Sequence, residues 1–308
     1  DTLDTRIVRF LDKYEGLSDH LTVEYTDPVI YPSVLSEYGV ESETVVVTCA
    51  ATGRQESFLI DDIIGYDLMT YYYYGVKNET DFDLEGLLTS AIDTVLTGTT
   101  RVAYQTEGHS ESSLPMGVSE LFERSHMSVE TVNLLTDGGI PRDCDLLIIS
   151  EPTRDLADDE LDMILEYLAE GGHVIYTMAG DLIDLPNLNT LCSQYGMNVA
   201  DGLIADTSRY YQNNPYFFFP TVDSSVDAVG NLSSDALVLF AASRGFTLTT
   251  PVRDSITVES FLTTTENGYA IVDEEHVSQG TYVVGAVATE TIDDDTTARL
   301  TVYGSNSL

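Results

Sequence analysis

The sequence predicts an α/β chain in two parts, a small α/β unit over residues 1–97 and a parallel-sheet domain with added antiparallel strands over 98–308. Three observations carry this. From Arg101 to Tyr176, strand-length apolar runs (RVAYQT, SVETVNLL, DCDLLIIS, HVIY) alternate with the helical pattern LADDELDMILEYLA, the signature of parallel strands joined by crossovers. Upstream, the first ~95 residues read as helix, strand, helix and hairpin, one small α/β unit. Downstream, ALVLFAASRGFTLTT, SITVESFLTTT, GTYVVGAVATE and ARLTVYG are rich in Thr and Val with no long helix between them, so they read as antiparallel additions to the same sheet.

In chain order, Ile7, Phe10, Leu11 and Tyr14 share one face of a first helix. LTVEY (Leu21 to Tyr25) alternates as a strand, and after Asp27-Pro28 a short helix is expected around Val34 to Tyr38. ETVVVTC and RQESFLI flank a turn at Thr52-Gly53 and read as a hairpin. Helix, strand, helix, hairpin is the order of a thioredoxin-like domain lacking its first strand, and no CxxC accompanies it. A helix from Leu84 to Leu96 has Thr80, Asp81 and Asp83 as capping choices and Gly98 just beyond it. Asp81, Asp83 and Glu85 are read as acids favoured at a helix N-terminus rather than as a metal site. The Tyr71 to Tyr74 run could stack on a sugar or pack across a domain boundary, and packing is the favoured reading. In the second part, Asp158 to Glu160 are first-turn acids of a helix with Leu161, Ile164, Leu165 and Leu168 on its apolar face, closed by Gly171-Gly172. PNLNTLCSQYG (Pro186 to Gly196) is a further helix ending at glycine. No internal repeat or Pro/Gly/Ser linker marks a third domain.

The 52 acidic and 13 basic residues leave a net charge of −39, and only Lys13 and Lys77 are lysines. Such a field repels nucleic acid and anionic membrane surfaces, which disfavours both as partners. With 43% hydrophobic residues and repeated apolar runs, the acidity reads as a solvated exterior, not disorder. No stretch approaches the ~20 apolar residues of a membrane span. Residue 1 is Asp, so the chain is expected to be a fragment or a processed form. Cys49, Cys144 and Cys192 are an odd number without metal-ligand spacing, and imply no disulfide framework.

Ligand sites on parallel sheets lie beyond the carboxyl ends of the strands. Thr106 to Glu111 and Glu151 to Asp155 fall there, which makes Glu107, His109, Glu111, Glu151 and Asp155 the candidate surface. Glu107, His109 and Glu111 stand at i, i+2 and i+4, a pattern open to metal binding, to general-base catalysis, or to hydrogen bonding within a turn that Gly108 permits. A zinc site needs at least three convergent ligands, and His20, His126, His173 and His276 sit on separate elements. No nucleophile elbow, GxGxxG or GxxxxGK[ST] is present, and Cys144 lies at the wrong end of its strand for an elbow. No cofactor is implied. RYYQNNPYFFFP (Arg209 to Pro220) clusters aromatics about an Asn-Pro turn, so Tyr216, Phe217, Phe218 and Phe219 form either a ligand or protein platform or an arm over the core.

TEGHSE, IPRDCDLLIISEPTRDLADDELDMILEYLAEGG and LPNLNTLCSQYGMNVADGLI, in that order, resemble the GldG-like auxiliary subunits of gliding-motility-type ABC transporters. VEYTDPVIYPSVLSEYGV, FDLEGLLTSAI and NPYFFFP fit the same family, and the resemblance runs from about Thr22 to Asp206. It implies a second domain similar to the class I glutamine-amidotransferase fold, a flavodoxin-like parallel sheet, without the catalytic cysteine. It also implies an extracytoplasmic, membrane-anchored protein beside a permease and a separate ATPase, with no catalytic residues to transfer. The chain ends at VYGSNSL, where the resemblance leads one to expect a further helix and an anchor, so an excised ectodomain is expected. Two functions of different class follow. One is a non-catalytic accessory module binding a partner, an unidentified small molecule or a glycan. The other is a hydrolase, with glycans as a candidate substrate, in which two of the strand-end carboxylates face each other across ~5–9.5 Å with His109 beside them.

Overall fold

The computed structural model describes residues 3–41, 43–66, 75–98, 101–125, 127–229, 232, 237–273 and 277–305. The chain forms two units, Asp1–Thr100 with Gly117–Ser128, and Arg101–Met116 with Val129–Leu308.

In the first unit, α1 (Thr5–Glu15) starts at Asp4, whose carboxylate accepts the Arg6 N–H, and buries Ile7 and Leu11. α2 (Ser33–Tyr38) ends on Gly39 in the left-handed conformation. The expected hairpin forms from β1 (Thr44–Cys49) and β2 (Arg54–Leu59), with Gly53 closing the turn onto Cys49. β3 (Ile64–Tyr66) pairs antiparallel with β4 (Glu79–Phe82). α3 (Leu84–Thr97) buries Leu84, Leu87, Leu88, Ala91 and Val95. Asp83, one of the three capping choices read from the sequence, caps it by accepting the Gly86 N–H at 3.0 Å. α4 (Met116–Arg124) is tied in where Ser90 Oγ donates to the Ser125 carbonyl at 2.7 Å.

One element of this unit differs from expectation. LTVEY forms no strand, although Leu21 and Val23 are partly buried and their neighbours exposed. The Val23 N–H donates to Glu15 Oε1 at 2.9 Å, so α1 takes the donor a sheet neighbour would have used. The alternation reflects one face laid on the core, not a ladder.

The second unit is built on β5 (Arg101–Thr106), β6 (Met127–Val132), β7 (Cys144–Ser150), β8 (His173–Thr177), β9 (Met197–Val199), β10 (Leu203–Asp206), β11 (Tyr210–Tyr211), β12 (Asn214–Phe218), β13 (Thr221–Val222), β14 (Phe240–Ala241), β15 (Phe246–Leu248), β16 (Ile256–Thr263), β17 (Gly268–Ile271), β18 (Val277–Gly280), β19 (Val283–Thr291) and β20 (Thr297–Tyr303). The main sheet runs β13-β16-β19-β20-β8-β7-β5-β6, with β15 attached to β19 and to β9. β5, β7, β8 and β20 are mutually parallel, and β20-β19-β16-β13 continue antiparallel. This is the α/β class read from the sequence, a parallel sheet with antiparallel additions.

The unbroken run Leu147-Ile148-Ile149 is buried because β7 lies between parallel neighbours. α5 (Asp158–Ala169) and α6 (Pro186–Gln194) cover the sheet through Leu161, Ile164, Leu168, Leu188, Leu191 and Cys192. Burial pushes the Cys192 thiol up to about 12, so it behaves as a small apolar side chain. Cys144 is the first residue of β7, at the amino end as expected.

The run ALVLFAASRGFTLTT is broken where one long strand was expected. Among its described residues, only Phe240–Ala241 and Phe246–Leu248 pair as strands. Between them Ala242 has φ 49°, the Ser243 carbonyl accepts from Ile204, the Arg244 N–H donates to Gly304, and the Gly245 carbonyl accepts from Ala200. The backbone there serves three separate segments, which no single ladder allows. The turn in the aromatic segment also moves. Gln212 and Asn213, at φ 50° and 58°, make the two-residue hairpin turn, whereas Asn214-Pro215 opens β12. Pro215 is tolerated because it sits at the register irregularity of that pairing.

Candidate functional site

The chain visits β5, then β6 on one side of it, then β7 on the other, so the order reverses between β5 and β7. At such a switch point the carboxyl-end loops diverge and leave the crevice that holds ligands in open α/β sheets. Here the loops after β5 and β7 close on each other. The Ser112 N–H donates to the Ser150 carbonyl at 2.9 Å, and the Thr153 and Arg154 N–H groups both donate to the His109 carbonyl at 3.0 Å.

Gly108 makes this closure possible. Its φ of 119° belongs to glycine, and a Cβ there would sit 2.8 Å from Asn133 Nδ2. The chain then turns His109 inward. Its Nδ1 lies 3.2 Å from Glu111 Oε1 and its Nε2 lies 2.9 Å from Glu160 Oε2. The three side chains are 11%, 4% and 2% exposed. Neither carboxylate can donate when ionised, so satisfying both contacts requires an imidazolium protonated on both nitrogens. The hydrogen bond to Glu111 raises the His109 pKa above the ordinary value; burial opposes this and the Glu160 charge assists it. For Glu111, burial pulls the pKa upward, but hydrogen bonds from the His109 ring, its own N–H, the His109 N–H and the Thr106 hydroxyl together hold the carboxyl low. The His109 N–H donates to Glu111 Oε2 at 2.7 Å, and Glu160 Oε2 accepts the Ala157 N–H at 2.8 Å, so both acids have further donors.

Glu160 is the member of this cluster that the sequence reading assigned elsewhere. It is at the third position of α5 and does accept an N–H of the helix start, as a first-turn acid does. Its reach to His109, 51 residues upstream, has no local sequence signal.

The other strand-end residues play separate parts. Asp155 accepts the Asn187 and Leu188 N–H groups at 2.8 and 3.2 Å and so caps α6 from outside that helix. Glu151 has φ 46° and its N–H is bonded to Thr177, with the carbonyl at 2.9 Å. The Glu107 side chain is exposed while its N–H pairs with the Val132 carbonyl. The space between Glu111 and Glu160 is filled by the imidazole, so neither water nor a sugar fits between those two acids.

In the aromatic segment Phe218 is fully buried and Tyr216 and Phe219 are partly so, while Tyr210, Tyr211 and Phe217 face solvent. Buried Asp206 holds the start of this arm by accepting the Ser208, Arg209 and Thr265 N–H groups. Among the described residues no group of three or more His, Cys, Asp or Glu side chains is arranged to hold a metal ion, and no helix is long and apolar enough to cross a membrane. Tyr71 to Tyr74, His126 and His276 lie outside the described residues.

Residues 94–290 match the family described as an ABC-type uncharacterized transport system, which is well over half of the chain. The chain belongs to that family. It is thus an auxiliary component of an ABC transport system. No curated protein matches it. Among solved structures, the mmIFT52 N-terminal domain is similar at 13% identity and TM-score 0.51, covering 67% of this chain and 86% of that one. A ThuA-like protein from Bacteroides uniformis is 10% identical at TM-score 0.41, covering 67% and 81%. PurLQS from Thermotoga maritima is 12% identical at TM-score 0.35, covering 67% and 86%. The first likeness shows a shared fold and nothing about activity.

Proposed function

We propose that this auxiliary component is a non-catalytic, GldG-like module that works at the extracytoplasmic face beside a permease and an ATPase subunit. The observation that carries the reading is the filled switch point. Where this sheet geometry would open a ligand crevice, the β5 and β7 loops are bonded to each other and the Glu111–His109–Glu160 cluster occupies the interior. A general base must reach the proton it abstracts, and His109 already faces a carboxylate from each nitrogen. The missing elbow and phosphate-binding glycines agree with this. Binding then falls to the outer surface, and the charge of −39 favours partners with basic rims over nucleic acid or anionic lipid.

Affinity purification of the full-length protein from solubilised membranes, with the co-purifying chains quantified by mass spectrometry, tests the proposal. A permease and an ATPase in constant ratio to the protein are expected. Recovery of the protein alone, together with turnover of a glycan substrate by the purified chain, would overturn it in favour of the hydrolase.

A further inference from the structure

Asp27 to Tyr31 form a turn that displays three consecutive large apolar side chains. Val29, Ile30 and Tyr31 are 88%, 66% and 62% exposed. A frayed loop would expose them by accident, but this one is held. The Val29 N–H donates to Asp27 Oδ1 at 2.8 Å, and the Ile30 and Tyr31 N–H groups donate to the Asp27 carbonyl at 3.1 and 2.9 Å. The Val34 N–H closes the far side onto the Tyr31 carbonyl at 3.1 Å. Pro28 and Pro32 bracket the tip and fix φ on either side of it. An apolar tip that is already ordered loses little conformational entropy when it enters a pocket, which is the property of a preorganised anchor.

The surroundings select the partner. From Tyr14 to Gly53 the chain contains no lysine or arginine, while Glu24, Asp27, Glu37, Glu41 and Glu43 flank the turn and its helix. Anionic lipid headgroups are repelled by such a rim, and a second copy would bring the same charge. The complement of an exposed apolar tip carried by a segment with five acids and no lysine or arginine is an apolar pocket edged by lysine or arginine. We propose that Val29-Ile30-Tyr31 seats this chain in such a pocket on a membrane subunit of its transport system. The partner's identity rests on the function proposed above; the chemistry of the pocket rests on the tip itself.

The test places p-benzoylphenylalanine at position 30 of the full-length protein in its own membranes, with sequencing of the photo-crosslinked peptide. In parallel, co-purification of the membrane subunit is compared between wild type and Val29→Asp/Ile30→Ser. The crosslink is expected in a membrane-subunit segment bearing lysine or arginine. The double variant is expected to lower recovery of that subunit at least about tenfold, the scale of losing a buried anchor, at an unchanged melting temperature. Tyr31→Ser, a milder change, is expected to move recovery in the same direction. Crosslinks confined to lipid or to a second copy, or equal recovery with wild type and variant, would overturn the tip proposal while leaving the auxiliary role intact. Absence of the membrane subunit from the wild-type preparation would instead remove the functional reading on which the partner's identity rests.

Discussion

Replacing His109 with alanine removes the imidazole that hydrogen-bonds both Glu111 and Glu160. Both acids are nearly sealed from solvent, so the variant leaves two carboxylates in the protein interior with their shared partner gone. Breaking a buried ion pair by deleting one member costs about 3–5 kcal/mol, because the remaining charge stays desolvated. The retained N–H donors, 2.7 Å from Glu111 and 2.8 Å from Glu160, place the cost near the lower end, about 3 kcal/mol. In a domain of roughly 150–250 residues each kcal/mol lowers Tm by about 2–4 °C, so a fall of roughly 6–12 °C is expected. Differential scanning calorimetry at pH 7 reads it directly. Adding Glu111→Gln to His109→Ala is expected to recover part of the loss by removing one orphaned charge. A fall of less than about 2 °C, or a double variant no more stable than the single one, would refute the claim that this cluster holds the crevice shut.

Four further outcomes are expected. His109 has a raised pKa, so its contribution is fully present below the unfolded value near 6.5 and is lost as pH rises through its folded pKa; Glu111 has a lowered pKa, so its contribution is lost as pH falls through its own. A histidine-resolved NMR titration checks the first half: a His109 midpoint at or below that of a free imidazole contradicts it. Asp155→Ala is expected to cost about 0.5–2 kcal/mol by orphaning the Asn187 and Leu188 N–H groups, measured by urea denaturation with the slope unchanged. Gly108→Ala is expected to destabilise by more than about 1 kcal/mol, since both its φ and the nearby Asn133 oppose a Cβ, and an unaltered Tm would count against it. With a net charge of −39, Tm is expected to rise from ~20 mM to ~500 mM NaCl as self-repulsion is screened; a flat or falling profile speaks against that.

The parts of this structure that the sequence made legible are those written in local pattern. β7 and α5 follow from an unbroken apolar run and a 3.6-residue stripe closed by Gly171-Gly172, while the sequence narrows the cap of α3 to Thr80, Asp81 and Asp83, of which Asp83 caps it. The misreadings arise where a distant segment decides. LTVEY alternates like a strand, yet its backbone bonds to Glu15. The 236–250 run has strand composition, but its middle serves Ala200, Ile204 and Gly304. At the candidate site, the positions of Glu107, His109 and Glu111 beyond a strand end could be read, because strand order places them there. That Glu160 completes the cluster could not, because a first-turn acid looks the same whether it faces water or a buried imidazole.

The role proposed for this chain is binding to a transporter without turnover of a substrate. The most direct measurement is the binding isotherm of the full-length protein to the permease and ATPase of its system reconstituted in nanodiscs. A single saturable phase is expected, with no loss of affinity on His109→Gln at a temperature where that variant is folded. Absence of saturable binding, or an affinity or activity that collapses with His109→Gln while the fold persists, would contradict it.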